Sequence, residues 1–239
     1  MSVSVELFGR LGNNLFQYSL ARLYAEMHGL HLSTKWNNEQ CFKATIPAAG
    51  DILPSTGVII TDHNYEELRE IKQQVVFRDH FQKSRWYIPH REQLKTYYDL
   101  PPIEPNFSDI VLHIRADDYS RDSIIHPKWY KDILKREEYD RLFIVMSPLD
   151  TEFLDQFIDF NPIIVSSSVR DDFLFIRNFK KVICSNSTFC WWAAFLGDPD
   201  KVYTFPRWCR SPIAEIADLP NSEQIDGPFL EHYPLDHVF

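Results

Sequence analysis

Short apolar runs that alternate with segments of helical periodicity constrain the fold of this chain more than any other feature. Such alternation is typical of βα units around a mostly parallel sheet, because each helix carries the chain back to the start of the next strand. The predicted strands are Val3–Leu7, Val58–Thr61, Ile110–Ile114, Leu142–Met146, Ile163–Val165, Lys181–Cys184 and Val202–Phe205. The sequence therefore predicts the α/β class.

The first helix is predicted over Asn14–His28, where apolar residues recur every three or four positions. Asn13 or Asn14 is expected to cap its start, and Gly29 is expected to end it. The side chains expected to face the core are Phe16, Leu20, Leu23 and Met27. Further helices are predicted to begin near Pro127, Asp150 and Asp171.

Three prolines between Leu100 and Asn106 mark the expected division of the chain. Proline is excluded from helix interiors and from central strands, so this segment is predicted to be a linker. We expect two Rossmann-like α/β lobes with a cleft between them, one formed by residues 1–100 and the other by residues 101–239. One continuous domain with a proline-rich surface loop is the alternative.

Composition excludes several function classes. The net charge of −9 argues against general nucleic-acid binding, which needs a basic surface. The cysteines show no CxxC pair and no zinc-finger spacing, and Cys184 and Cys190 are expected to be buried thiols. No secretory signal is evident, and no run approaches the roughly 20 apolar residues of a membrane span. A cytoplasmic setting without a membrane span is therefore expected.

The first segment that can carry chemistry is Gly9–Asn14, which reads GRLGNN. It follows the first strand and opens the first helix, so its glycines are expected to allow a tight turn and close approach to a ligand. Free amides at a helix start favour an anion or a sugar oxygen. Considered locally, an ordinary strand-to-helix turn is the commoner explanation.

The second segment, His113–Tyr119, follows a predicted strand and carries His, Arg and Asp. Ligands of open α/β sheets bind at the carboxyl ends of strands. The planar guanidinium of Arg115 suits bidentate phosphate recognition, and Asp118 could deprotonate a hydroxyl. A structural Arg–Asp pair at a strand end is the alternative.

The third segment, Cys184–Gly197, leads from a strand through small polar residues into a short apolar helix. Ser and Asn are common N-caps, which is the structural explanation for them. Four such residues also offer hydroxyls and amides beside the positive end of a helix, which suits a diphosphate. Trp191 and Trp192 are expected to lie in the core.

Together these segments resemble the α-1,2-fucosyltransferase family (glycosyltransferase family 11). The chain reads GRLGNNLFQYSLA at Gly9–Ala21, HIRADDY at His113–Tyr119 and NSTFCWWAAFL at Asn186–Leu196. HFQKSRWYI at His80–Ile88 and KVYTFPRWC at Lys201–Cys209 are similar to further segments of the family. The resemblance is collinear and covers nearly the whole chain.

The resemblance implies a GT-B type fold and inverting transfer of L-fucose from GDP-fucose to a hydroxyl of an acceptor glycan, without an obligatory metal. The N-terminal lobe, with its GRLGNN loop, is the expected acceptor side, and the C-terminal lobe is expected to bind the nucleotide sugar. A route with little basic assistance is the mechanistic alternative, since fucosyl transition states carry oxocarbenium character.

The residues implied for the site have distinct roles. Asp118 is the expected general base, with Asp117 as the fallback, and Arg115 is expected to stabilise the departing diphosphate. His113 is assigned to the nucleotide or its phosphate. The remaining binding residues implied by the resemblance are Gly12 and Asn13 for the sugar or diphosphate, and Ser185, Asn186, Ser187 and Thr188 for the diphosphate.

Departures from the family pattern leave alternatives open. Ala116 and Asp117 stand where the family has Arg and Gly, and Ser147–Asp150 differs from its Ser-Asp-Asp segment. A different nucleotide sugar or a non-catalytic binding module are therefore rival functions. Asp198–Asp200 matches a DxD metal motif in letters but is expected to be a solvated turn. Acceptor contacts are expected from the segments Asn37–Ser55 and Ser120–His126.

Overall fold

The computed structural model describes residues 1–34, 57–115, 123–146, 148–207 and 218–228. The chain divides into two compact units, Met1–Pro101 and Pro102–Phe239. The division falls inside the proline-rich segment Leu100–Asn106. Each unit contains its own parallel sheet, which is the two-sheet α/β architecture expected of the chain.

The N-terminal unit is built on a four-stranded parallel sheet. Its strands are β1 (Ser2–Val5), β2 (His31–Ser33), β3 (Val58–Ile60) and β4 (Val75–Phe77), in the order β2-β1-β4-β3. Its helices are α1 (Leu11–His28), α2 (Tyr65–Leu68) and α3 (Arg91–Lys95), with 3-10 turns at Ser84–Trp86 and Ile88–His90.

Helix α1 begins earlier than the sequence pattern predicts. Its N-cap is Arg10, whose side chain makes no capping bond, so the prediction of an Asn13 or Asn14 cap is wrong. Its end at Gly29 is confirmed, because Gly29 has φ +58° and the following amide, Leu30 N–H, bonds back to the Ala25 carbonyl at 2.8 Å.

The face of α1 that was expected to be buried is buried except at its end. Phe16 and Leu20 are fully buried and Leu23 is nearly so. Met27 is 50% exposed, so its predicted core position is wrong. It lies in the last turn of the helix, where Glu26 and His28 are not buried either.

The C-terminal unit contains a six-stranded parallel sheet. Its strands are β5 (Asn106–His113), β6 (Leu142–Val145), β7 (Ile163–Val165), β8 (Phe179–Cys184), β9 (Lys201–Thr204) and β10 (Ser222–Gln224), in the order β10-β9-β8-β5-β6-β7. Its helices are α4 (Pro127–Leu134), α5 (Thr151–Asp155), α6 (Val169–Arg177) and α7 (Thr188–Leu196), with a 3-10 turn at Ile158–Phe160.

The elements that carry the core of this unit were predictable from their periodicity. In α4, Trp129, Tyr130, Ile133 and Leu134 are all buried, in one cluster with the inner side chains of β5 and β6. Helix α6 begins two residues before the predicted start, because the Ser168 hydroxyl accepts from the Asp171 amide at 3.1 Å and caps it.

Three strands were not predicted: β2, β4 and β10. Each has only three residues, and β10 reads Ser-Glu-Gln without any apolar character. These strands exist because a neighbouring strand offers backbone hydrogen bonds, which local sequence does not reveal. Within the described residues, no helix combines the length and the apolar character needed to cross a membrane.

Candidate functional site

The candidate site lies at the carboxyl edge of the C-terminal sheet, where β5 and β8 end side by side. The two strands are parallel, and their register places His113 opposite Cys184. The residues that follow, Arg115 and Ser185–Thr188, therefore leave the sheet at the same edge. The carboxyl edge of an open parallel sheet is where α/β proteins bind ligands.

His113 is a buried, neutral histidine. Its Nδ1 lies 2.8 Å from the Ser185 hydroxyl, and its ring packs on Phe189 with centroids 5.6 Å apart. Burial, with the charge of Arg115 as a further cause, lowers the pKa of His113 to about 3. The ring therefore serves as a neutral hydrogen-bonding group that holds Ser185, and its assignment to the nucleotide remains a prediction.

Arg115 follows β5 by two residues and is half-buried. It lies two residues beyond His113, and its positive charge adds to the lowering of the pKa of that ring. A guanidinium in this position offers several fixed donors for an anion. Its role toward a diphosphate remains a prediction.

The turn Ser185–Thr188 is held away from solvent. All four residues are buried, and the Ser187 amide donates to the Ser185 carbonyl at 2.7 Å. The Asn186 side chain donates from Nδ2 to the Ser123 carbonyl at 2.8 Å, which ties the turn to the start of the next described segment. The conformation of the turn is therefore fixed by hydrogen bonds within the protein.

Ser187 is the N-cap residue of α7, but its side chain does not cap the helix. Its hydroxyl oxygen is buried without a hydrogen-bond partner, as is that of Thr204 at the end of the adjacent strand β9. Buried polar atoms in native proteins normally have partners, so two such hydroxyls near one sheet edge call for an explanation. An anion or a hydroxylated ligand at the helix start would provide one.

Helix α7 is anchored by tight packing behind the turn. Trp191 and Trp192 are buried, which confirms their predicted core position, and the Trp191 and Phe195 rings stack at 4.6 Å. Cys184 and Cys190 are buried and free, with Sγ atoms 2.9 Å apart. This packing fixes the helix start relative to β8.

The GRLGNN segment is organised differently from the sequence prediction. Gly9 has φ +81° and is the turn residue, whereas Gly12 is buried inside α1 and allows no turn. A Cβ on Gly9 would lie 2.4 Å from Asn13 Nδ2, a side-chain atom that can move, so the positive φ is what requires glycine at this position. The prediction that both glycines allow a tight turn is therefore wrong for Gly12 and is confirmed for Gly9.

Asn13 contacts a different part of the unit. Its Oδ1 accepts from Gln82 Nε2 at 3.0 Å, which joins the GRLGNN and HFQKSRWYI segments. Asn14 Nδ2 donates to the Phe8 carbonyl at 2.9 Å, and Gln17 Oε1 accepts from the Phe8 amide at 3.1 Å. The assignments of Gly12 and Asn13 to a sugar or diphosphate remain predictions.

Several predicted residues lie outside the described part of the chain. Asp118, its fallback Asp117 and Ala116 fall there, as do Ser147, the whole of the expected acceptor segment Asn37–Ser55 and the first three residues of the other one, Ser120–His126. Among the described residues, no group of three or more His, Cys, Asp or Glu side chains could hold a metal ion. Asp198 and Asp200 have exposed side chains and pair with Lys180 at 3.1 and 3.4 Å.

One pair of residues was missed by sequence reasoning. Asp62 and Asp79 meet at the carboxyl edge of the N-terminal sheet, where the Asp62 amide donates to Asp79 Oδ2 at 3.1 Å. The only local signal was a polar residue shortly after each of two strands. The pairing itself requires β3 and β4 to be neighbours, and β4 was not predicted.

Comparison with known proteins identifies the fold. No family model matches the chain, and no curated protein matches it. Among solved structures it is similar to E. coli heptosyltransferase WaaC with ADP, with TM-score 0.56, 11% identity and coverage of 95% of this chain and 94% of that one. It is also similar to the NodZ α-1,6-fucosyltransferase soaked with GDP-fucose, with TM-score 0.53, 14% identity and coverage of 82% and 92%.

A further structure, fucosyltransferase NodZ from Bradyrhizobium, matches with TM-score 0.53, 13% identity and coverage of 82% and 93%. At such identities these likenesses concern the fold alone. The chain therefore has the two-sheet parallel α/β architecture of GT-B glycosyltransferases, as expected. The resemblance to the α-1,2-fucosyltransferase family continues to rest on the motifs.

Proposed function

We propose that the chain is a glycosyltransferase that uses a nucleotide-activated sugar. The observation that carries this proposal is the turn Ser185–Thr188, which leads into the N-terminus of α7. The side chain of the N-cap residue, Ser187, makes no hydrogen bond to the amides of the helix start. The unpartnered Ser187 hydroxyl and the nearby charge of Arg115 suit a diphosphate. The GT-B fold is consistent with the same function.

We further propose GDP-fucose as the donor and an inverting α-1,2 transfer to a hydroxyl of an acceptor glycan. The support is the collinear set of motifs, together with the likeness of the fold to that of a fucosyltransferase that was soaked with GDP-fucose. A different nucleotide sugar is the second candidate. It is favoured by Ala116 and Asp117 and by the similar fold of a heptosyltransferase with ADP.

The reaction has to stabilise the charge that develops on the departing nucleoside diphosphate. Donors already fixed in the turn Ser185–Thr188, with Arg115, can do this without reorganisation during the reaction. In measured enzymes one such donor contributes about 3–4 kcal/mol to transition-state stabilisation. On this proposal no metal is obligatory, because Arg115 and the turn carry the positive potential. Asp118 remains the proposed base that takes the proton of the acceptor hydroxyl.

Thermal unfolding with GDP, UDP, ADP and dTDP tests the donor. GDP should raise the melting temperature more than the other nucleotides, and a larger shift with ADP or UDP would favour the second candidate. No shift with any nucleotide would contradict nucleotide-sugar binding.

Transfer from GDP-fucose tests catalysis and separates an enzyme from a non-catalytic module. Arg115→Ala should lower the transfer rate by at least about 100-fold, because a charged donor to the leaving group is lost. Arg136→Ala, which removes an exposed arginine of the same unit, is the matched control and should keep the wild-type rate. Near-normal transfer by Arg115→Ala would refute the role of Arg115.

A further inference from the structure

Two cysteine side chains meet directly behind the turn of the candidate site. Cys184 is the last residue of β8, and Cys190 lies in the first turn of α7. Both are buried, at 3% and 0% exposure, and their Sγ atoms are 2.9 Å apart. A buried free cysteine usually acts as a small apolar residue. Here the two sulfurs face each other, which apolar packing alone does not require.

The position of Cys184 in the sheet links the pair to the site. The strand register places Cys184 between His113 on β5 and Thr204 on β9, so the three side chains lie in one row on the same face of the sheet. Helix α7 covers this row, because Phe189 packs on His113 and Cys190 contacts Cys184. A chemical change at the two sulfurs therefore acts on the junction between β8 and the start of α7.

The segment between the two cysteines is the turn itself. Five residues separate Cys184 from Cys190, and four of them are Ser185–Thr188, which are proposed to hold the diphosphate. A bond between the two sulfurs would close these residues into a ring. The pair is therefore placed where a single covalent change would alter the whole turn.

Forming that bond requires a small movement. The sulfurs of a disulfide are about 2.05 Å apart, so the pair has to approach by roughly 0.9 Å. The far end of α7 is held by the bond from Arg177 Nε to the Leu196 carbonyl at 3.1 Å, and Ser185 is held by His113 at 2.8 Å. The movement therefore falls on the start of α7 and on the amides that it presents. A displacement of about 1 Å can cost about 100-fold where function depends on exact positions.

The hydrogen bond within the pair assigns a role to each sulfur. The Cys190 thiol donates to Cys184 Sγ, and burial, with this bond to Cys184 as a further cause, raises the pKa of Cys190. Cys190 is therefore the protonated member of the pair. Cys184, the acceptor, is the sulfur that attacks an oxidant.

Hydrogen peroxide is an oxidant of the class that this chemistry requires. The Cys184 thiolate attacks one peroxide oxygen, which gives a sulfenic acid on Cys184 and releases hydroxide. The Cys190 sulfur then attacks the Cys184 sulfur, the S–O bond breaks, and the oxygen leaves as water with the Cys190 proton. The hydroxide takes up the proton that Cys184 lost, so two thiols and one peroxide become one disulfide and two molecules of water.

The burial of both sulfurs decides when the reaction can occur. Peroxide reaches Cys184 when the turn Ser185–Thr188 opens locally. A diphosphate bound to the turn would hold it closed and protect the thiols. Nucleotide binding and oxidation should therefore oppose each other, and by linkage each should weaken the other.

We propose that Cys184 and Cys190 form a redox-sensitive modification site, at which a peroxide joins them in a reversible disulfide that lowers the affinity of the turn Ser185–Thr188 for a nucleoside diphosphate. The effect on the nucleotide rests on the proposed function, which supplies the ligand of the turn. The disulfide itself rests on the contact between the two sulfurs.

Mass spectrometry of the full chain tests the disulfide. Cys41→Ser and Cys209→Ser are introduced together, so that Cys184 and Cys190 are the only cysteines left. After treatment with hydrogen peroxide, the tryptic peptide that contains both cysteines should be lighter by two hydrogen atoms, and dithiothreitol should reverse the change. An unchanged peptide mass, or oxygen added to either sulfur without a disulfide, would overturn the proposal.

Calorimetric titration with GDP tests the effect on binding. The disulfide form should bind GDP about tenfold or more weakly than the reduced form, because the start of α7 is displaced, and dithiothreitol should restore the affinity. Cys190→Ala on the same background is the matched control, and its GDP affinity should be the same before and after peroxide. Equal GDP affinities of the reduced and disulfide forms would overturn the effect on the nucleotide.

The rate of oxidation gives a readout that a purely structural pair would not. Saturating GDP should slow disulfide formation in the reduced chain, and equal rates with and without GDP would contradict the link between the turn and the thiols. No GDP binding by the reduced chain would count against the proposed function, while the peptide mass would still decide the disulfide. GDP binding that the disulfide leaves unchanged would count against this inference alone.

Discussion

Ser187 combines two properties that seldom occur together. It stands at the N-cap of α7, where serine is favoured, yet its side chain makes no capping bond and its hydroxyl is buried without a partner. By contrast, Ser185 is bound to the neutral ring of His113 at 2.8 Å. Removing the hydroxyl should therefore have different effects on the stability of the protein at these two positions.

Ser187→Ala should leave the free protein as stable as wild type or up to about 1 kcal/mol more stable, because an unsatisfied buried hydroxyl is removed. The same change should reduce the melting-temperature shift produced by GDP. Ser185→Ala is the comparison and should lower stability by about 1 kcal/mol, since His113 loses its partner. A stability loss in Ser187→Ala equal to that of Ser185→Ala would contradict this account of Ser187. The measurement is thermal unfolding with and without GDP.

At the scale of elements, α7 owes its position to the close approach of its C-terminal end to α6. A Cβ on Gly197 would lie 2.7 Å from the Arg177 carbonyl and 3.0 Å from that of Ala193. Arg177 in turn donates from Nε to the Leu196 carbonyl at 3.1 Å. Both obstacles to a side chain at Gly197 are backbone atoms, which cannot rotate away.

Gly197→Ala should therefore destabilise the protein by about 1–3 kcal/mol, the usual cost of forcing extra atoms into a packed interior. Gly29→Asn is the matched control at another helix end. A Cβ there meets no atom within 4 Å, and Asn tolerates the left-handed backbone, so its effect should be much smaller. Chemical denaturation of the two variants compares them, and equal losses of stability would show that packing at Gly197 is not the cause.

At the scale of the whole molecule, each unit contains an ionisable group with a shifted pKa, the buried His113 and the half-buried Asp62, and the two have opposite effects on the pH dependence of stability. The pKa of His113 is lowered to about 3 in the C-terminal unit, and that of Asp62 is raised to about 6 in the N-terminal unit. Between pH 3 and about 6.5 the unfolded chain binds more protons at His113 than the folded one, so stability is lost there as pH falls. Between about 3.8 and 6 the folded chain binds more protons at Asp62, so stability is lost there as pH rises.

Variants separate these two contributions. Lowering the pH from 7 to 5 should cost His113→Asn less stability than wild type. The variant has no histidine at this position that must stay neutral in the folded state while it takes up a proton in the unfolded state. The same change should cost Asp62→Asn more stability than wild type, because the gain from protonating Asp62 is absent. Melting temperatures across this pH range give the comparison, and Glu67→Gln, which changes an exposed carboxylate on α2, should follow wild type. Identical pH profiles for all variants would contradict both assignments.

The sequence by itself determined the elements whose patterns are long and regular. The alternation of strands and helices, the buried face of α4 and the end of α1 at Gly29 follow from periodicity and from the backbone freedom of glycine. The start of α1 was misplaced because Asn14, read as a cap, instead bonds to the Phe8 carbonyl. The strands β2, β4 and β10 were missed, although β3 and β7 are equally short and were predicted, so a run of three residues does not by itself separate a strand from a loop.

Only the tertiary structure decided which polar residues meet. His113 reaches Ser185 across 72 positions, Asn13 reaches Gln82 across 69, and Asp62 reaches Asp79 across 17. Motifs at the ends of strands indicated candidates for the first of these contacts, but they carried no information on strand neighbours. Parallel pairing brings the carboxyl ends of non-consecutive strands to one edge, and that order is set by packing of the whole sheet. The candidate site at the ends of β5 and β8 is therefore a product of strand order, which no local segment contains.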